Sequence, residues 1–357
     1  RGTMCGIVGY IGNKQAWPIV IDGLRRLEYR GYDSSGIAVL DPVGDLKFRK
    51  STGKVSDLSA SVAKSPMDGM LGLGHTRWAT HGKPSENNAH PHTGHGGRVA
   101  VVHNGIVENF IELKRELLDS GHVFSSETDT EVIAHLIEIG LDSGKSFEES
   151  FRETGKRLIG SQAIAATIAG EGSQIYALRL GHSGGIVVCH NGEEGIVSSD
   201  LPAMVPMIKD SSMTGDVVYL ESGEMAIVSA TSVVYKGTSG ELIKKKSRRV
   251  TPEDVLVDKR GYRHFMLKEI FEQPRVIRDI LTGKINDTRR VVTLEEKLNG
   301  GELPEKVIFL GCGSAYHAAL LGAHFFSEIS DCIVSANVAS EVDLRRSPRT
   351  KSWAVLL

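Results

Sequence analysis

The run Met4-Cys5-Gly6-Ile7-Val8-Gly9-Tyr10-Ile11-Gly12 constrains this chain more than any other. A cysteine follows the first methionine, directly ahead of a short apolar stretch, Gly6 to Ile11, that reads as a strand. If translation starts at Met4 and that methionine is removed, Cys5 becomes the first residue. Its thiol and a free α-amine then lie a few bonds apart. An α-amine has an unperturbed pKa of roughly 7.7–8.0, so part of it is neutral near pH 7 and can act as base for its own thiol. On this reading Arg1-Gly2-Thr3 are residues appended ahead of the natural start and stay outside the fold. The same cysteine also fits a small buried residue at the start of a strand. Position alone leaves both readings open.

The 357 residues are enough for two or three domains. A content of 40% hydrophobic and 24% charged residues is that of a folded globular protein. No apolar run approaches the roughly 20 residues of a membrane span, so no membrane partner is expected. The formal net charge of −2 gives no reason to expect nucleic acid either. Cys5, Cys189, Cys312 and Cys332 show no zinc spacing and are too few for a disulfide framework. A reducing cytoplasm is the expected setting, without a cofactor.

Trp17 to Leu27 reads as a helix, with Ile19, Val20, Leu24 and Leu27 on one stripe. Ile37 to Leu40, Leu46 to Arg49, Met70 to Gly74 and Val99 to His103 read as strands. Between the last two lies a long segment, Thr76 to Gly97, rich in His, Pro, Asn and Gly; irregular segments of that length in a compact domain are usually functional. Asn104 to Leu118 and Thr130 to Leu141 read as helices, the second with a capping-box pattern over Thr128 to Glu131. Six short strands follow: Ala163–Ile168, Ile175–Leu180, Gly185–Cys189, Gly195–Ser199, Val217–Leu220 and Met225–Val228. Strands flanked by helices on both sides in sequence predict stacked antiparallel sheets covered by helices. The basic stretch Lys244 to Arg249 reads as the end of this domain. A linker and a long helix, His264 to Leu281, follow, with Met266, Ile270, Ile277 and Leu281 on the helix's apolar side. Lys306 to Leu310 is a continuous apolar strand, followed by the turn Gly311-Cys312-Gly313-Ser314, a helix to Ile329 and a strand Cys332 to Val338. That opens a parallel α/β domain of about two βα units. The expected domains are 5–245, a linker and helix 246–284, and a partial domain 285–357.

Several segments carry chemistry. His75-Thr76-Arg77-Trp78-Ala79-Thr80-His81-Gly82 offers a guanidinium for bidentate carboxylate binding among polar neighbours; the alternative is a solvated loop with a surface ion pair. Asn104 and Gly105, where a strand runs into a helix, suit an oxyanion hole, although Asn104 also suits a helix cap. Asp129 fits a helix-start residue favoured by the dipole. The Gly311 turn resembles a phosphate cradle at a helix start, with close packing as the alternative. His81, His90, His92 and His103 match no metal-ligand spacing, and no metal is expected.

Taken together, Met4 to Gly9, Leu27-Glu28-Tyr29-Arg30-Gly31-Tyr32-Asp33-Ser34-Ser35-Gly36, His75 to Gly82, Asn88-Ala89-His90-Pro91-His92, Val102 to Asn109 and Ser126 to Glu131 occur in the order found in class II glutamine amidotransferases. The Tyr-Arg-Gly-Tyr-Asp-Ser segment, the stretch Tyr262 to Pro274 and the Gly311 turn resemble the glucosamine-6-phosphate synthase branch of that class. The resemblance implies a four-layer αββα N-terminal-nucleophile sandwich, followed by the truncated start of a sugar isomerase domain. It implies that Cys5 attacks the glutamine side-chain amide and that Asn104 and Gly105 hold the oxyanion. Arg77 would bind the α-carboxylate, with Thr80 and His81 around it, and Asp129 the α-amine. Trp78 would sit in the loop that closes over the site and gates ammonia. Arg30 and Gly31 would lie near the nucleophile, and Gly313 and Ser314 near a sugar phosphate. In the whole enzyme, ammonia would pass to fructose 6-phosphate, and a homo-oligomer is implied.

The chain departs from that pattern in three places. Met4 precedes Cys5 and ties up its amine. The sugar isomerase part continues well beyond this chain in the family. Ser314-Ala315 stands where the family has Thr-Ser. Two other readings remain open: another class II enzyme, such as an amidophosphoribosyltransferase, or a non-catalytic sensor of glutamine or sugar.

Overall fold

The computed structural model describes residues 5–78, 82–170, 173–181, 184–205, 216–250, 262–281, 285–286, 291–292, 304–342 and 352–356. The chain divides into two compact units, 3–258 and 259–357. In chain order the first runs β1 (Gly6–Ile11), α1 (Ala16–Leu27), β2 (Ser34–Leu40), β3 (Leu46–Thr52), α2 (Val55–Lys64), β4 (Leu71–Arg77), β5 (Val99–Gly105), α3 (Phe110–Asp119), α4 (Glu131–Asp142), α5 (Phe147–Arg157), β6 (Gln162–Ile168), β7 (Ile175–Leu180), β8 (Val187–His190), β9 (Gly195–Ser198), β10 (Asp216–Tyr219), β11 (Glu224–Val228), β12 (Val233–Gly237) and β13 (Arg248–Arg249).

These strands make two antiparallel sheets, ordered β13-β10-β8-β9-β1-β4-β2-β3 and β12-β11-β7-β6-β5. The two-residue period of β1 sets the layers. Val8 and Tyr10 face outward and pack with Val20 and Leu24 of α1. Ile7 and Ile11 face inward and meet Val102, Ala163, Ala165 and Ala177 of the second sheet. On the far side of that sheet, Val101, Ile164 and Ala166 pack under Leu117, Ile133, Ile137 and Phe151 of α3 to α5. The result is a four-layer αββα sandwich. Both faces of β1 are buried, which is why it reads as an unbroken apolar run. Each buried Val, Leu or Ile contributes about 1.5–3 kcal/mol. Gly74 lets α1 settle on β4, since a Cβ there would sit 2.4 Å from Val20 Cγ1.

Three local expectations are corrected. The helix expected from Asn104 begins only at Phe110, because His103, Asn104 and Gly105 stay extended in register with Ile164, Ala163 and Gln162. The Thr128 capping box does not form; the Glu131 carboxylate instead accepts from the N–H and O–H groups of Ser125 and Ser126. A capping box does form at the unexpected helix α5, between Ser146 and Glu149. At the end of the unit, Arg248 and Arg249 pair with Val217 and Asp216, and Val250 joins the core beneath the first sheet.

The second unit contains α6 (Phe265–Leu281), a short ladder of β14 (Ile285–Asn286) and β15 (Val291–Val292), then β16 (Lys306–Gly311), α7 (Ser314–Ile329), β17 (Ile333–Val338) and β18 (Ser352–Leu356). β16 lies between β17 and β18, parallel to both. This corrects the expectation of two parallel strands: Ser352 to Leu356 supplies a third, and the apolar strand is central, with Val307 to Leu310 buried. Met266, Ile270 and Ile277, expected on an apolar side of α6, are exposed. Among the described residues, no helix is long and apolar enough to cross a membrane.

Candidate active site

The antiparallel register of β1 with β4 sets Gly6 opposite Thr76, so Cys5 falls beside the end of β4. The Trp78 backbone N–H donates to Cys5 Sγ at 3.2 Å, and the thiol reaches Trp78 O at 3.7 Å. A backbone donor on sulfur favours the thiolate, the nucleophilic form. From the second sheet, Asn104 Nδ2 donates to Cys5 O at 3.2 Å. The nucleophile and the side-chain amide thus stand on different sheets and meet at one end of the sandwich. Gly105, next along β5, has φ 141°, and a Cβ there would lie 2.4 Å from Ser161 O. Only glycine fits both conditions.

Charge comes from two buried side chains. Arg77, at the end of β4, donates to Gly82 O at 3.0 Å and has Asp33 Oδ1 at 3.9 Å. Asp129 accepts from Val107 N–H at 2.8 Å, which pins the turn after β5. Cys5, Arg77, Trp78, Gly105 and Asp129 line one small cavity of about 20 Å³. A roomier cavity of about 450 Å³ lies at the opposite ends of β1, β2 and β4, beside Ile11, Leu40 and Leu71. Its described lining has neither a thiol nor a basic side chain, so the small cavity is the one that carries chemistry.

The other expected residues divide as follows. Thr80, His81 and the Arg30 side chain lie outside the described residues. Gly31 has φ 121° and donates to Glu28 O; its segment reaches the site through Asp33, whose N–H donates to Arg77 O at 2.8 Å. Gly313 and Ser314 are in the second unit, where Gly313, at φ 58°, precedes α7 and Ser314 begins it. Two features escaped the sequence reading. One is the Trp78 N–H, which any residue at that position would supply. The other is a layer of buried histidines, His75, His90, His92 and His103. Burial holds all four below the ordinary imidazole value, His75 at about 3. Among the described residues, no group of three His, Cys, Asp or Glu side chains is disposed to hold a metal.

Residues 59–152 match the family model described as a glutamine amidotransferase domain. The chain therefore carries a glutamine amidotransferase domain. The chain is 42% identical, over 95% of its length, to the glutamine–fructose-6-phosphate aminotransferase (isomerizing) of Thermococcus kodakarensis, of which 54% is covered. It is 43% identical over 96% of its length to the protein of the same name from Symbiobacterium thermophilum, of which 55% is covered. The chain spans about half the length of these curated relatives. Two solved structures share the amidotransferase fold. One, titled the allosteric regulatory enzyme of purine biosynthesis, has TM-score 0.55 and 26% identity over 67% of this chain and 50% of that one. The other, a glutamine phosphoribosylpyrophosphate amidotransferase from B. subtilis, has TM-score 0.57 and 19% identity over 94% of this chain and 65% of that one.

Proposed function

We propose that the first unit hydrolyses glutamine and that the whole protein passes the ammonia to fructose 6-phosphate, making glucosamine 6-phosphate and glutamate. The Cys5 thiolate adds to the side-chain amide carbon. Asn104 Nδ2 and the Gly105 N–H take the negative charge that develops on the amide oxygen. Collapse expels ammonia and leaves a γ-glutamyl thioester, which water then cleaves to glutamate. The α-amine of Cys5, when Cys5 is the first residue, serves as the base. Arg77, with Thr80 and His81, holds the α-carboxylate, and Asp129 holds the α-amine. The Trp78 loop closes over the substrate and gates ammonia. Arg30 and Gly31 support the nucleophile's surroundings.

The observation that carries this reading is the convergence of a thiol, a guanidinium and a carboxylate on one small cavity, with the Asn104 side-chain amide bonded to the backbone of Cys5 beside it. Glutamine offers a complementary carboxylate, ammonium and amide. The step to fructose 6-phosphate draws on the relatives at 42–43% identity rather than on the solved structures at 19–26% identity. Gly313 and Ser314 at the start of α7 would form one wall of the sugar-phosphate site. A homo-oligomer working in the cytoplasm completes the proposal; the free cysteines suit a reducing compartment.

The test is glutamate release from glutamine, comparing the chain as written, a version beginning at Cys5, and Cys5→Ala. The version beginning at Cys5 should exceed the chain as written by roughly 10²–10⁴-fold, the usual worth of a positioned base. Cys5→Ala should release nothing above background. Turnover by Cys5→Ala would end the glutaminase reading.

A further inference from the structure

The two halves of the site stand on separate sheets, and one buried side chain bonds them. His75 is on β4, between Ile7 of β1 and Gly36 of β2. Its Nε2 lies 3.0 Å from His103 O and 3.0 Å from Asn104 Oδ1, both on β5 of the other sheet. A backbone carbonyl can only accept, so Nε2 carries the hydrogen and shares it between the two oxygens. Asn104 is then fully assigned. Oδ1 accepts from His75, and Nδ2 turns to Cys5, where it donates to the backbone oxygen at 3.2 Å.

We propose that His75 is a positioning residue: its Nε2–H locks the Asn104 amide so that Nδ2 faces the nucleophile, and it ties the nucleophile's sheet to the oxyanion sheet. The proposal rests on the glutaminase reading and deepens it. An Asn side chain is nearly symmetric in shape, and with its amide turned over it would present an acceptor to the developing oxyanion. Discrimination between the two orientations needs a partner of one fixed polarity, which His75 supplies.

The surroundings keep His75 in that role. It is wholly buried, and its other nitrogen, Nδ1, has no hydrogen-bond partner. The His90 ring stacks on it at 4.1 Å between centroids and 12° between planes. His90 Nδ1 accepts from the His103 N–H, so it shows a lone pair rather than a proton to this layer. His103 Nε2 meets Gln162 Oε1, whose amide nitrogen is committed to Ile106 O and Ile159 O, so that Nε2 is protonated and its Nδ1 accepts from Thr130. Burial, together with the Arg77 charge, opposes protonation of His75. A charged ring would donate from both nitrogens, and Nδ1 has nothing to donate to.

The test has two arms. In the first, nitrogen NMR of the histidine-labelled full chain should show His75 in the Nε2–H form without titration between about pH 5 and 9. An Nδ1–H form, or titration near the ordinary imidazole range, overturns the proposal whether or not the chain is active. In the second, His75→Phe keeps the ring and its stacking but removes the donor. In the active form of the protein it should lower kcat by ~10–100-fold, the usual effect of losing a group that orients a functional side chain, with KM for glutamine within twofold. His75→Gln, which keeps an N–H donor, should recover part of kcat. A raised KM with intact kcat, or equal losses in both variants, overturns the proposal. Equal turnover by wild type and Cys5→Ala would instead remove the glutaminase reading, and the nitrogen spectrum alone would then decide whether His75 orients Asn104.

Discussion

Arg77 and Gly105 leave little room for substitution. Arg77 is buried at a strand end, and the role proposed for it needs a flat two-point donor. A lysine keeps the charge but not that geometry. Arg77→Lys should raise KM for glutamine at least about tenfold, or about 1.4 kcal/mol, with a smaller change in kcat. An unaltered KM would return Arg77 to a structural ion pair with Asp33. Gly105→Ala meets both a forbidden φ and the Ser161 carbonyl, so it should cost about 2 kcal/mol or more of stability and silence glutamate release. Full activity in that variant would show that the β5 end relaxes freely. Cys5, Arg77, Asn104 and Gly105 could be singled out in the sequence because each is a side chain, or a lack of one, suited to a particular task, whereas Asp129 read there as a helix-start residue and its proposed role came from the resemblance. The Trp78 N–H could not be, since its position comes from the β1–β4 register. His75 could not be, since its partner is 29 residues away on another sheet.

At the scale of elements, β4 and β5 meet through uncharged histidines, and that makes the join sensitive to acid. His75, His90, His92 and His103 bind protons less readily when folded than at the ordinary value of 6.5. The unfolded chain therefore takes up protons first. Stability is complete above pH 6.5 and falls as the pH drops through that value, by up to about 1.4 kcal/mol per pH unit for each group. Glu131 acts lower down. Burial raises its pKa, but His135 and the N–H and O–H groups of Ser125 and Ser126 outweigh burial and hold it below 4.5. Its contribution is complete above 4.5 and is lost as the pH falls further. Urea midpoints measured from pH 8 to 5 should drop steeply below 6.5, and a flat profile would contradict the buried neutral layer. Glu131→Gln should cost about 2 kcal/mol at pH 7, because it weakens charge-assisted bonds at the start of α4. The same network explains why the capping box was misread. The motif Thr128 to Glu131 was present, but Ser125 and Ser126 stand closer to the carboxylate, and only the folded loop reveals that competition.

Across the whole molecule, the sandwich was legible as alternating strands and helices, while its four layers came from resemblance and not from periodicity. Strands buried on both faces lose the polar–apolar alternation that would tell one layer from the next. The second unit was read less completely. Ser352 to Leu356 is a strand of only five residues, too short a run to stand out in the sequence. With that strand in place, β16 is paired on both sides, and among the described residues β17 and β18 are the edges of the sheet instead. Three parallel strands and α7 still make a narrow platform. Leu320, Leu321, Phe325 and Ile329 on α7 are exposed, and so are Met266, Ile270 and Phe271 on α6. A sugar-phosphate site in an open parallel sheet lies outside the carboxyl ends of several strands, at a switch in strand order. In the function proposed above, Gly313 and Ser314, where β16 runs into α7, would form one wall of such a site, and the chain spans 54–55% of the relatives' length. Given fructose 6-phosphate and ammonium, this chain should therefore form no glucosamine 6-phosphate above background, even in a form that releases glutamate from glutamine. Amino sugar produced at a rate that scales with chain concentration would contradict this, and would mean that residues 259–357 already hold a complete synthase site.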